Sequence, residues 1–196
     1  MKKILGTLVV VAIVLVGAAY FLPRDVHVTR SIVIDRPAVA VFPFLNSLRR
    51  FNEWSPWSAI DPNVKIDFSG PETGVGAHMA WAGNSKVGSG TQTITESVEN
   101  TRVLVDLDFG DRGVAKASWL LSPAGEGTRV EWTLDTTVGD NPIGRYMGLF
   151  MDRIMGPDYE RGLANLKQRV ESNAATDSPG AQPASNSTTA PKAATN

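Results

Sequence analysis

The side chains able to do covalent or metal chemistry are sparse and scattered in this sequence. There is no cysteine, which excludes disulfides, thiolate catalysis and cysteine-ligated metal. His27 and His78 lie about fifty residues apart, with no carboxylate at a metal-ligand spacing beside either. Asp106, Asp108 and Asp111 form an acidic cluster, but Asp106 and Asp108 alternate with Val105 and Leu107 and so point to solvent. A calcium loop needs more oxygens closely spaced around a turn. The segment Gly70 to Gly76 lacks the Gly-Lys-Ser/Thr ending of a phosphate loop and leads into a strand, so it reads as a turn. Neither histidine lies near a nucleophile elbow, so no Ser-His-Asp set can be assembled. No metal and no cofactor are expected.

Aromatic and thioether side chains are the richer signal. Trp54, Trp57, Trp81, Trp119 and Trp132, with Phe68, Met79 and Phe109, fall on inward faces or in a loop beside them. Met147 and Met151 (and Met155) lie on a C-terminal helix, where thioethers could form an adaptable cavity wall. Core packing is the competing role for every one of these residues. Trp54 and Trp57 sit in a stretch that reads as a loop, which favours the rim of a cavity. The charged residues fall in turns or on outer faces, a pattern that speaks against acid–base catalysis. Glu53, Arg145 and Tyr146 are the ones placed near such a rim.

These residues need elements to position them. Asn141 to Ser172 reads as one long helix, with apolar steps at Ile143, Met147, Phe150, Met151 and Ile154 and again at Leu163, Leu166 and Val170. Gly156-Pro157 should kink or split it. Val26 to Asp35 is a first strand, followed by a short helix around Val39–Leu45 and a second helical turn or loop over Leu48–Trp57, where Pro56 ends any helix. From Val64 the chain becomes a meander of alternating strands, with a tight hairpin at Gly83-Asn84 and turns at Asn100, Gly110–Gly113 and Pro123–Gly127. Short turns make neighbours antiparallel, and the alternation leaves one face covered. The helix should lie across that sheet.

The chain has 196 residues, 42% of them hydrophobic, and a net charge of −1, so nothing points to nucleic acid. Residues 4–22 are uncharged and follow Lys2 and Lys3. As a helix they would measure roughly 28 Å, close to the thickness of a bilayer core. A retained anchor is favoured over a cleaved signal peptide, for which Gly17-Ala18-Ala19 offers a site. The lysines then keep the N-terminus inside, making a single-pass protein of the cytoplasmic (inner) membrane with its folded domain on the outer, periplasmic side. Three regions result: an anchor over 1–25, a folded domain over 26–172, and a low-complexity tail over 173–196 expected to be disordered.

Several segments carry a family likeness. Ser31–Pro37 with Val41-Phe42, Asn52–Trp57, Gly70–Gly76 with Trp81–Asn84, Gly127–Trp132 and Tyr159–Lys167 occur in the order seen in the START/Bet v 1-like (SRPBCC) superfamily. The sequence resembles its bacterial polyketide cyclase/dehydrase-like members over about residues 26–172. The resemblance implies an α+β helix-grip fold, a curved seven-stranded antiparallel sheet wrapped around a long C-terminal helix, with a cavity between them. It implies a small hydrophobic ligand or lipid as partner, bound by the aromatic and methionine residues named above. The scaffold hosts carriers, cyclases, hydrolases and regulators alike. A membrane-anchored ligand-binding domain is the leading reading; a cyclase/dehydratase-like enzyme and a ligand-free interaction module are its rivals.

Overall fold

The computed structural model describes residues 2–176. Helix α1 (Lys2–Ala19) comes first, then β1 (Asp25–Ile34), α2 (Ala38–Leu45) and α3 (Leu48–Trp54). A meander follows: β2 (Lys65–Ser69), β3 (His78–Ala82), β4 (Ser89–Val98), β5 (Arg102–Asp108), β6 (Val114–Ala124) and β7 (Gly127–Thr137). Two helices, α4 (Pro142–Gly148) and α5 (Met151–Thr176), close the described chain.

The seven strands form one antiparallel sheet in the order β1-β7-β6-β5-β4-β3-β2. Each hairpin-linked strand lies beside its predecessor, and β1 closes onto β7. A register shift between Ile94 and Glu96 marks a bulge in β4, the kind of irregularity that bends a sheet. Asn100 adopts a positive φ of 55° where β4 turns into β5, a conformation asparagine tolerates better than most residues. The expected tight hairpin at Gly83-Asn84 is instead a longer loop. Asn84 Oδ1 accepts from the backbone N–H of Lys86 and Val87, and Gly88 closes the turn at φ 71°.

Helix α5 lies across the sheet and grips it through Tyr159, Leu163, Leu166 and Val170, all buried. Arg30 of β1 fastens the helix from the other side. Its guanidinium pairs with Asp152 at 2.7 Å and Glu160 at 2.8 Å, and it lies against Gly156 midway between them. These three helix positions are four residues apart and share one face, and the bare glycine in the middle leaves the guanidinium its room.

The C-terminal helix differs from the expected single rod. It breaks at Leu149-Phe150, whereas Gly156-Pro157 runs through without interruption. Pro157 is the seventh residue of α5 and lies inside it, so the helix gives up the one bond that an N–H there would make to Arg153 O and continues. The apolar positions fall on two different faces. Met155, Tyr159 and Leu163 turn inward, while Ile143, Met147, Phe150 and Ile154, expected on the buried face, are exposed. The helix also continues past Ser172 to Thr176, into the stretch expected to be disordered; residues 177–196 of that stretch lie outside the described residues.

The N-terminal segment is also shorter than expected. Regular helix ends at Ala19, and Tyr20, Phe21 and Leu22 close on i→i−3 bonds. With two lysines at its start, the apolar part of α1 measures about 24 Å against about 30 Å of hydrocarbon. Among the described residues no helix is long and apolar enough to cross a membrane.

Candidate functional site

A cavity of about 350 Å³ lies between the concave side of the sheet and α5. Alternation builds one wall. Met79 and Trp81 of β3, Gln92 of β4, Leu107 of β5, Ala115, Ala117 and Trp119 of β6, and Trp132 and Leu134 of β7 all face it. The other wall comes from α3 and α5, through Phe51, Met151, Met155 and Tyr159, with Trp57 from the loop after α3.

An aromatic floor organises the deep end. Trp119 and Trp132 are directly opposite each other in the β6–β7 register, with ring centres 5.8 Å apart. Tyr159 stacks on Trp132 at 3.9 Å and an interplanar angle of 17°, and Trp57 meets the same indole edge-on at 5.9 Å. The indole N–H groups of Trp119 and Trp132 are buried and find no hydrogen-bond partner among the described residues. Buried donors of this kind are costly when left unpaired. Burial, with the negative charge of Asp135 adding to it, pushes the Tyr159 phenol upward, so it stays protonated throughout the neutral range. At the opposite end Trp81 and Phe109 pack edge-to-face at 5.8 Å, and Lys86 and Arg112 border the opening.

Seven of the ten residues singled out by sequence line this space: Trp57, Met79, Trp81, Phe109, Trp119, Trp132 and Met151. Three do not. Trp54 ends α3 instead of sitting in a loop; it is fully buried, donates from Nε1 to Phe44 O at 3.2 Å, and belongs to the core beneath the floor. The α3 helix, capped by Ser47, runs far enough to carry it inward. Phe68 lies outside the cavity, under the guanidinium of Arg49 at 4.4 Å, and lines a separate shallow cleft of about 290 Å³. Met147 is on α4 and faces outward.

The residues placed near the rim do other work. Arg145 is only 2% exposed and donates to the carbonyl oxygens of Ala19 and Tyr20, at 3.3 and 2.9 Å, with Asp140 at 3.1 Å. Tyr146 donates its hydroxyl to Leu15 O at 2.8 Å. The acidic cluster disperses: Asp106 pairs with Lys116, and Asp108 accepts from the Gly110 N–H. His27 meets Asp135 and His78 meets Thr93. Among the described residues no group of three or more ligating side chains could hold a metal.

Sequence reasoning missed Gln92 and Tyr159. Gln92 is buried on the cavity wall, and its amide makes only a long contact, 3.7 Å, to the Met79 sulfur. Its position two residues before the fully buried Ile94 puts it on the inward face, a signal its polarity concealed. Tyr159 continues the spacing of Leu163 and Leu166 by one more turn.

Sheet, gripping helix and the mostly apolar cavity between them together define a helix-grip protein of the SRPBCC type. The chain belongs to the polyketide cyclase / dehydrase and lipid transport family, whose model matches residues 25–171. No curated protein matches the sequence. Among solved structures it is similar to the di-domain ARO/CYC StfQ of the steffimycin biosynthetic pathway, with a TM-score of 0.58 at 11% identity over 78% of this chain. It spans about half of that two-domain protein, 52% of its length. It is similar to TTHA0849 from Thermus thermophilus, with a TM-score of 0.58 at 20% identity over 76% of this chain and 99% of the other. Ara h 8.0201 gives a TM-score of 0.52 at 14% identity over 76% and 99%. At these identities the likeness is one of fold.

Proposed function

We propose that this protein binds a small hydrophobic or amphipathic molecule, a lipid or lipid-like compound, in the cavity between sheet and α5. The observation that carries the reading is the cavity itself: about 350 Å³, walled by Met79, Trp81, Phe109 and Met151, with Gln92 as a buried polar group on a mostly apolar lining that also includes Asn52, Ser55 and Ser58. Ligand sites are typically of this size and make-up, apolar with a few polar groups that orient the guest. The description of the family, which joins cyclase chemistry with lipid transport, is consistent with such a guest.

We further propose that α1 holds the domain at a membrane. Its side chains from Ile4 to Val16 are, apart from Thr7, apolar and exposed, and Phe21 at its end is 91% exposed. A helix apolar all round needs an apolar surrounding. Lys2 and Lys3 at its start are placed to meet anionic headgroups.

A second reading, cyclase/dehydratase-like turnover, draws on Tyr159, a buried protonated phenol at the cavity wall able to donate to a developing oxyanion. Tryptophan quenching by brominated fatty acids tests the first reading, because Trp57, Trp119 and Trp132 all border the space. Saturable quenching supports it, and quenching no stronger than for free indole rejects it. Tyr159→Phe separates the two: a carrier keeps its ligand, whereas an enzyme keeps binding and loses turnover.

A further inference from the structure

The exposed stripe on α4 and the start of α5 lies next to the end of α1 and next to one end of the cavity. Ile143, Met147, Phe150 and Ile154 follow helical spacing and are all about half exposed or more, Ile143 reaching 74%. Isolated apolar residues on a surface are ordinary, but a contiguous stripe of this kind marks a contact. Its position relative to α1 is fixed by side-chain bonds. Arg145 donates to the last carbonyls of α1, and Tyr146 donates to Leu15 O. Leu15 lies four residues before Ala19, so α4 runs beside the final ~6 Å of α1. Interfacial helices bury their apolar face roughly 5–10 Å into the headgroup–acyl boundary, a span that this last stretch of α1 matches.

The corner also adjoins the cavity. Met151, directly after Phe150, lines it, and so do Val114 and Thr136 at the neighbouring strand ends. Val114 is itself exposed, so apolar surface continues from outside to inside at this end. Arg153 projects to solvent between Phe150 and Ile154 and pairs with no carboxylate among the described residues, which suits it to a lipid phosphate.

We infer that the α4–α5 corner is a wedge that sits in the headgroup–acyl boundary of a phospholipid bilayer and opens the Met151–Val114 end of the cavity towards it, so that the ligand is a lipid taken from that bilayer. This rests on the membrane-tether reading, from which it must be separable. The absence of native cysteine makes the test clean. Single-cysteine variants of the full chain, Ile143→Cys, Phe150→Cys, Val10→Cys in α1 and Val98→Cys at the opposite end of the strands, are labelled with an NBD fluorophore. They are reconstituted in phosphatidylcholine/phosphatidylglycerol vesicles carrying doxyl-labelled lipids. Labels at 143 and 150 are expected to shift to the blue and to be quenched by shallow doxyl groups, the label at 10 by deep ones, and the label at 98 by neither. If 10 is quenched while 143 and 150 remain water-like, the wedge is wrong and the tether survives. Water-like emission at all four positions overturns both. A blue shift at 143 and 150 that appears without lipid and grows with protein concentration means a second copy covers the stripe, which also overturns the wedge.

Discussion

At the scale of single residues, Gln92 is the clearest link between chemistry and selectivity. Its carboxamide is buried, yet its one bond is a long contact to a thioether, so the fold gains little from it. Gln92→Leu should therefore leave stability within about 1 kcal/mol of the parent, or raise it. The same change should weaken a fatty acid or other headed lipid by about tenfold, the worth of one hydrogen bond, and leave a plain hydrocarbon unaffected. Displacement of a fluorescent probe by the two guests measures this; equal losses for both would show that Gln92 only shapes the wall. Gly162 makes the complementary case. A Cβ there would come 2.7 Å from Trp132 Cζ3 and 3.0 Å from Pro56 Cδ, and both are rigid rings held by their neighbours. Gly162→Ala gains about 1 kcal/mol of helix propensity but overpacks the floor at a typical cost of about 1–3 kcal/mol. Net destabilisation is expected by denaturant titration, and Gly156→Ala should destabilise as well, because there the added methyl would displace the Arg30 guanidinium from its place between Asp152 and Glu160. The inward tryptophans were legible from strand alternation. Gln92 was hidden by its polarity, and Trp54 was misplaced because Pro56 suggested a loop where a capped helix persists.

At the scale of elements, what holds α5 to the sheet is partly ionic and therefore depends on pH. Arg30 bridges Asp152 and Glu160, and its hydrogen bond holds the Asp152 carboxyl below the usual carboxylate range. A carboxyl whose pKa is lowered in the folded state adds stability above its unfolded value, about 3.9, and loses it as pH falls through the folded value. Asp152→Asn should therefore lower Tm at pH 7, with the gap to the parent closing below about pH 4. Thermal melts from pH 7 down to the acid limit of folding check this; a gap that stays unchanged across the whole range would mean the pair acts through packing instead. Both carboxylates are largely exposed, so the effect is one of direction and modest size. The strands and their order could be read from alternation and turn residues. The α4–α5 break could not, because Ile143, Met147, Phe150 and Ile154 satisfy the same periodicity as the buried stripe that follows. Periodicity says that a face is apolar, not what it meets.

At the scale of the whole molecule, a cavity beside the aromatic floor leaves the domain underpacked until it is filled. Anything that binds the folded state alone stabilises it by mass action, about 2.7 kcal/mol at a hundredfold excess over Kd. For a domain of this size that corresponds to a rise in Tm of roughly 5–10 °C. The lipid-free chain in detergent micelles should show such a rise on titration with a free fatty acid. A filled cavity should abolish it. Ala117 borders the space on β6, opposite Leu134 of β7. Ala117→Phe would place a ring in the volume the guest requires, and because it occupies existing space it should not strain the floor as Gly162→Ala does. The variant is expected to melt at or above the unliganded parent and to show no further rise with fatty acid. If its Tm climbs as the parent's does, the stabilising molecule binds elsewhere, on α1 or the exposed stripe, and the cavity is not the site.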